Sequence, residues 1–285
     1  MTLSASLVLY NNAPELYVSA IGSFLKATDE AILTVVDNSP QPLQHPIFQH
    51  RRVRRLFSGK NLGFGAGHNL ALASVPASLF HLILNPDVQF SEGVIGHLVR
   101  VLDSSANIGA IMPRINYPDG SQQHLCKLLP TPADLILRRF IPILSIQSRL
   151  NSRYELHDLP TDGLQDVPTV SGCFLLVRTE LLKRLGGFDE RYFMYMEDVD
   201  LIRRVGDTHR VVFEPSVAIV HGYGKGSYRS SRLLSYHMRS AIKYFFKWGW
   251  FLDLERLRRN RAVLRRIRQC EAQQHDLPKS VVRPR

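Results

Sequence analysis

The sequence predicts an α/β fold: a mainly parallel central sheet wrapped by helices, followed by a basic helical extension at the C-terminal end. Three observations carry this. Short β-branched runs alternate with helical patterns through the first half, as in a chain of βαβ units. Acidic or glycine-rich clusters recur just after the apolar runs, where an open α/β sheet places ligands. The charge is split: residues 225–285 hold 16 Lys/Arg and 4 Asp/Glu, net +12, whereas residues 1–224 sum to −1. A uniformly basic nucleic-acid coat is thereby excluded, and no nucleic acid is expected as partner.

In order, Leu3 to Tyr10 reads as a strand and Pro14 to Lys26 as a helix with proline in its first turn. Ile32 to Asp37 is a second strand, stopped by Asn38-Ser39-Pro40, and Val53 to Phe57 a third. The glycine-rich Asn61 to Gly67 follows, then a helix from His68 to Ser74. Leu79 to Leu84 is a fourth strand closed by Asn85-Pro86-Asp87. Ser91 is expected to cap the next helix, with Glu92 in its first turn. Ile108 to Ile115 is another strand, and Pro118-Asp119-Gly120 a hairpin turn. Pro130 to Pro168 reads as a mobile loop holding a basic helix over Leu135 to Arg153. Val170 to Arg178 restores order, a short helix spans Glu180 to Leu185, and a second opens at Glu197. Val211 to Phe213 and Val217 to Val220 read as two closing strands.

Several function classes fall away early. Three dispersed cysteines with no C-x-x-C pair argue against a disulfide scaffold or a cysteine zinc site, and suit a reducing cytoplasm. The N-terminus lacks the pattern of a signal peptide, and no apolar run approaches the roughly 20 residues of a spanning helix. There is no P-loop, dinucleotide fingerprint or nucleophile elbow; His68 stands where G-x-G-x-x-G needs glycine.

Five places carry chemistry. Asp37, ending a strand, suits hydrogen bonds from a pyrimidine base or ribose, or simply starts a turn. Gly63, Gly65 and Gly67, with Asn61 and Asn69, let a backbone approach a nucleotide, though glycine-rich connections without ligands are as common. Asp87, after Asn85, can bind Mg²⁺ or Mn²⁺ while diphosphate and water fill the remaining positions, or close an Asx turn. Glu197 and Asp198 sit among Phe193, Met194, Tyr195 and Met196. Such apolar neighbours raise a carboxyl pKa toward general-base use, while helix capping is the alternative. His221, a strand-end histidine before a Gly-rich segment, completes the coordination of a metal at Asp87 or is structural.

Taken in order, VVDNS, NLGFGAGHN, LILNPDV, VSGCFLLVR, GGFDERYFMYMEDVDL and VHGYGKGS resemble the inverting GT-A glycosyltransferases of family 2, in their rhamnosyltransferase-like branch, over about residues 4–230. The resemblance implies the GT-A (nucleotide-diphospho-sugar transferase) fold. It implies Asp37 on the base, Asp87 on the metal, Asp198 as catalytic base with Glu197 assisting, and His221 as further metal or diphosphate ligand. Asn61, Gly63, Gly67, Asn69, Asn85 and Lys225 would line the nucleotide-sugar, Lys225 or Arg229 on a lid. Asn85 replaces the first Asp of the family's D-x-D, leaving one carboxylate for the divalent cation. The implied donor is dTDP-L-rhamnose, or a UDP-sugar, and the acceptor a hydroxyl of a lipid-linked or lipopolysaccharide-type glycan. A catalytically silent GT-A-like subunit whose basic tail holds nucleic acid or an acidic polymer, and a sugar-nucleotide pyrophosphorylase, are the rivals.

The domains expected are 1–225 catalytic (1–115 nucleotide-sugar half, 116–225 acceptor and base half), 226–271 a basic amphipathic extension, and 272–285 a disordered tail. Within the extension Leu234, Met238, Ala241, Phe245 and Trp248 recur at helical spacing, with Arg232, Arg239, Lys243 and Lys247 opposite. The first helix is expected to dock and the second to reach anionic lipid, peripherally, at the cytoplasmic face of the inner membrane.

Overall fold

The computed structural model describes residues 2–75, 77–135, 144–222 and 230–275. Its strands are β1 (Leu3–Leu9), β2 (Ile32–Asp37), β3 (Val53–Phe57), β4 (Phe80–Leu84), β5 (Val88–Gln89), β6 (Ile108–Asn116), β7 (Gln122–Gln123), β8 (Gln165–Asp166), β9 (Phe174–Arg178) and β10 (Arg210–His221). The helices are α1 (Pro14–Ala27), α2 (Phe64–Ser74), α3 (Gly93–Asp103), α4 (Pro132–Leu135), α5 (Leu144–Tyr154), α6 (Thr179–Arg184), α7 (Glu197–Val205), α8 (Ser231–Trp248) and α9 (Leu254–His275).

One sheet runs β3-β2-β1-β4-β9-β6-β10-β5, with β7 on β6 and β8 on β10. The first four strands are mutually parallel. The side chains of β1, β2 and β4 are buried on both faces, which is why these three segments read as near-continuous apolar runs. β9 inserts antiparallel between β4 and β6, and β6 pairs parallel with β10. The chain passes from β1 to β2 in one direction and from β3 to β4 in the other. Right-handed crossovers then put α1 and α2 on opposite faces. The order reverses beside β1, so a crevice opens at the carboxyl ends of β1, β2 and β4.

Polar side chains are also sealed beneath the sheet. Ser6 Oγ bridges His68 Nδ1 (2.7 Å) and His81 Nε2 (2.8 Å), and Ser4 Oγ meets His81 Nδ1 at 2.8 Å. Burial drives both histidines down to about 3, so they are neutral.

Several expectations change. The glycine-rich segment does not precede α2 but opens it, since the helix begins at Phe64 rather than His68. Ser91 makes no side-chain cap: α3 starts at Gly93, after Glu92, with Val94 N donating to Ser91 O (3.3 Å). The two closing strands are one, β10, whose register shifts between Glu214 and Ala218 around Pro215, where proline cannot donate. The mobile loop of 130–168 is partly ordered. α5 covers the end of the expected basic helix, and Tyr154 and Leu156 join the main core; 136–143 lie outside the described residues. The Asp119-Gly120 hairpin forms, joining β6 to β7.

The C-terminal helices share the body's packing. Ala241, Tyr244 and Phe245 of α8 form a core with Tyr192 and Met196 beside α7, and Val263 and Ile267 of α9 enter the main core. Asn260 exchanges hydrogen bonds with Leu129 N and O (2.9 and 2.8 Å). The tail is helical to His275, and 276–285 lie outside the described residues. No helix among the described residues is long and apolar enough to cross a membrane.

Candidate active site

At the end of β2, Asp37 is fully buried. Its carboxylate accepts hydrogen bonds from Ser39 N (3.1 Å), Leu43 N (2.8 Å) and Arg55 Nη2 (2.6 Å). Burial pushes its pKa up, but these donors outweigh burial and hold it below the ordinary carboxylate value. Beside it, Asn38 ties the loop after β3 to the sheet through Gly63 O (3.0 Å) and Ser58 Oγ (3.0 Å).

The glycines of this loop answer to close packing. Gly63 has φ +88°, and a Cβ there would lie 2.2 Å from Phe193 O; Phe64 N donates to that carbonyl at 3.2 Å. A Cβ on Gly67 would meet Val8 Cγ2 at 2.8 Å, so the glycine lets α2 lie directly on β1. Asn61 Oδ1 accepts from Gly63 N (3.0 Å). Asn69 clamps the segment before α7: Oδ1 accepts from Phe188 N (2.8 Å), and Nδ2 donates to Phe188 O and Glu190 Oε1 (2.9 Å each).

Asp87 and His221 stand 134 positions apart and meet through a two-residue ladder. His221 of β10 pairs with Val88 of β5, and Gly222 N donates to Asp87 O at 2.8 Å. His221 Nε2 then lies 3.3 Å from Asp87 Oδ1. That oxygen is buried and has no aligned hydrogen-bond partner among the described residues. Gln123, on β7, fixes the histidine. Its Nε2 donates to His221 O (2.7 Å) and Asn116 O (3.3 Å), so its Oε1 is the atom 3.0 Å from His221 Nδ1. Nδ1 therefore carries a proton, and Nε2 is the ring nitrogen that faces Asp87. A buried carboxylate oxygen facing an imidazole nitrogen fits two ligand positions of a divalent cation. The fit is for two protein ligands: among the described residues no group of three or more His, Cys, Asp or Glu could hold a metal.

Glu197 and Asp198 open α7 after a strained turn. Tyr195 and Met196 both have positive φ (66° and 67°), a conformation that costs non-glycine residues of order 1–3 kcal/mol each. α8 holds the turn in place: Met196 is buried against Tyr244 and Phe245, and Ser240 Oγ donates to Met194 O (2.8 Å). Asp198, half-buried, accepts from Gly172 N at Oδ2 (3.0 Å) and from Val199 N at Oδ1 (2.8 Å). Burial raises its pKa, while those amides and the charge of Lys127 pull it back. Glu197 is buried, with Oε2 unpartnered among the described residues; burial first and the Asp198 charge second push it up to about 8. At neutral pH Glu197 therefore keeps its proton.

The start of β9 joins the two halves. Asn85 N donates to Cys173 O (2.8 Å), Gly172 N binds Asp198, and the charges of both Asp87 and Asp198 raise the Cys173 thiol, after burial. Asp87 and Asp198 therefore flank one short segment. Of the expected site residues, Asp87, His221, Asn85, Asp198 and Glu197 gather here. Asp37, Asn61, Gly63, Gly67 and Asn69 lie on the β2–α2 side, where the side-chain oxygens of Asp37, Asn61 and Asn69 all accept hydrogen bonds from the protein. Lys225, like Arg229, lies outside the described residues. Sequence reasoning missed Gln123, Arg55 and Gly172; the hairpin turn before Gln123 was the one available signal.

No family model matches the sequence. The chain is 31% identical over 223 residues (72% of this chain, 70% of the relative) to the N-acetylglucosaminyl-diphospho-decaprenol L-rhamnosyltransferase of Mycobacterium tuberculosis (strain CDC 1551 / Oshkosh). It is 26% identical over 249 residues (84% and 91%) to rhamnosyltransferase WbbL of Escherichia coli (strain K12). Its fold matches mannosyltransferase PcManGT of Pyrobaculum calidifontis, solved with GDP-Man and Mn²⁺, with TM-score 0.53 and 16% identity over 96% of this chain and 79% of that one. Fold and relatives together define a GT-A glycosyltransferase, a hexosyltransferase. Within that class the chain belongs to the rhamnosyltransferase-like branch of family 2.

Proposed function

We propose that this glycosyltransferase moves L-rhamnose from dTDP-L-rhamnose, with inversion, to a hydroxyl of a lipid-linked or lipopolysaccharide-type glycan. The observation that carries the chemistry is the grouping of Asp87 with His221 on one side of the β9 start and Asp198 on the other. The names of the relatives support the sugar and the lipid-linked acceptor.

The acceptor oxygen attacks the anomeric carbon as its proton passes to Asp198. A new C–O bond forms, the bond to the diphosphate oxygen breaks, and the electron pair leaves with the nucleoside diphosphate. Asp198 suits this role because it is partly accessible, fixed by Gly172 N, and made a stronger base by burial. Glu197, neutral and buried, braces the turn and places no second negative charge beside the base. Asp87 and His221 would hold Mg²⁺ or Mn²⁺, with Gln123 orienting the imidazole. Such an ion, when bound, offsets the charge that develops on the departing diphosphate. Asp37 and the β2–α2 loop line the base side of the crevice. The same reading places the protein peripherally at the cytoplasmic face of the inner membrane, held by its basic C-terminal segment.

The test is Asp198→Asn with a panel of nucleotide-sugars. Thermal shifts with and without Mn²⁺ identify the donor, dTDP-L-rhamnose here and a UDP-sugar in the alternative. The variant is expected to keep donor binding and lose transfer; a near-normal rate removes Asp198 from the base role.

A further inference from the structure

The turn between α8 and α9 exposes a dense set of large apolar side chains. Phe246, Phe251, Leu252 and Leu254 are 76, 81, 90 and 80% exposed, and Ile242 and Leu257 extend the patch. This turn is held rigidly. Gly249 takes φ +97°, with its N–H on Phe245 O (2.9 Å), and a Cβ there would meet Leu252 O at 2.8 Å. The buried Arg256 guanidinium binds the carbonyls of Gly249, Trp250 and Phe251 from within (3.2, 3.1 and 3.4 Å). Asp253, buried against Arg203, also accepts from Arg256 N (2.9 Å). Apolar groups that a polar framework fixes outward are not a loosely packed surface; exposed patches of this kind mark interaction sites.

Charge selects the occupant. From Leu254 the exposed face of α9 continues at spacings of three and four as Arg258, Arg261, Arg265 and Arg268, and α8 adds the exposed Arg239 and Lys243. The two acids near the turn are already paired, Asp253 with Arg203 and Glu255 with Arg258 and Arg259. A convex apolar tip backed by arginines complements an anionic bilayer: acyl chains take the tip and headgroup phosphates the arginines.

We infer that the α8–α9 turn inserts into a bilayer containing anionic lipid. The lipid contact is made by this turn and not by the apolar face of α9, whose Val263 and Ile267 are consumed by the core. α8 then runs from the tip back to the strained turn before Asp198, touching it through Ser240 and through the Phe193–Tyr236 ring contact. Ser240 and Tyr236 lie eight and twelve residues before Trp248, about 12 and 18 Å along the helix axis, which is the reach from the tip to that turn. The inference deepens the proposed function and rests on it only for the lipid-linked acceptor.

The test uses the full chain and a triple variant, Phe251→Ser, Leu252→Ser and Leu254→Ser, all at exposed positions. Flotation is measured with phosphatidylethanolamine/phosphatidylglycerol vesicles and with pure phosphatidylcholine vesicles. The wild type is expected to bind the anionic vesicles and the variant to lose about tenfold or more in partitioning, with donor thermal shifts unchanged. The only two tryptophans, Trp248 and Trp250, flank the turn, so their emission should shift to the blue on binding and Trp250→Phe should remove most of the shift. Equal vesicle binding by the variant overturns the inference. So does a wild-type dimer that the variant converts to monomer without any lipid affinity, because a second copy then covers the patch. Vesicle binding without any nucleotide-sugar affinity leaves the inference standing and removes the functional reading.

Discussion

Asp253→Asn should destabilise the enzyme far from its reaction chemistry. The side chains of Arg203, on α7, and Asp253, just before α9, are each 3% exposed and joined by two hydrogen bonds of 2.7 and 2.8 Å. The guanidinium also stacks over Trp248, 4.1 Å from the ring centroid, and meets Tyr244 Oη at 3.2 Å. Neutralising the carboxylate leaves a buried cation without its counter-charge, which costs about 3–5 kcal/mol. Asn keeps the capping oxygen for Arg256 N, so the cap survives while the charge and the acceptor facing Arg203 Nη1 are lost together. Against a typical stability of about 5–15 kcal/mol, that is a large fraction. Urea denaturation monitored by tryptophan emission measures it. Arg203→Met combined with Asp253→Asn should recover part of the loss, because it removes one orphaned cation and keeps the cap, while Arg256, 3.7 Å from the same carboxylate, still lacks its partner charge. A single-variant cost below about 1 kcal/mol, or a double variant no better than the single, would refute the argument. The same geometry makes removal of everything after Trp250 a poor test of membrane binding, since that cut deletes Asp253 and exposes the core beneath α9.

Two further outcomes follow from the site. Glu197, raised to about 8 from an unfolded value near 4.5, favours the folded state most below pH 4.5, and that contribution declines as pH rises toward 8. Glu197→Gln has no proton to lose, so its stability relative to wild type should grow by about 1.4 kcal/mol per pH unit across that window; urea midpoints at pH 5 and 8 check this, and a constant gap contradicts it. Gln123→Ala should weaken Mn²⁺ affinity about 10–100-fold by releasing His221 from its tautomer and orientation. Titration calorimetry in the presence of the nucleoside diphosphate measures it, and unchanged affinity would remove Gln123 from its positioning role.

Much of this was legible before folding was considered. The strand-end positions of Asp37 and Asp87, and the start of α7 at Glu197, follow from apolar runs that stop abruptly at polar residues. The purpose of the glycines was not legible: Gly63 and Gly67 are required by Phe193 and Val8, partners remote in sequence. Nor was Gln123, because only the hairpin and the end of β10 together bring it to His221. The extension was read as an amphipathic helix docking and a second reaching lipid, but the pattern of apolar residues cannot say which stripe finds a partner.

The sequence by itself determined the alternation of strands and helices, the residue types at each strand end, and the cationic C-terminal segment. Those features are local, set by backbone propensity, periodicity and charge count. Tertiary structure decided which distant groups share a dielectric and a contact: Asp87 with His221, Glu197 with Asp198, Arg203 with Asp253. Protonation state and metal-binding capacity arise from burial and from neighbours a few ångströms away, and sheet order, not chain order, chooses those neighbours.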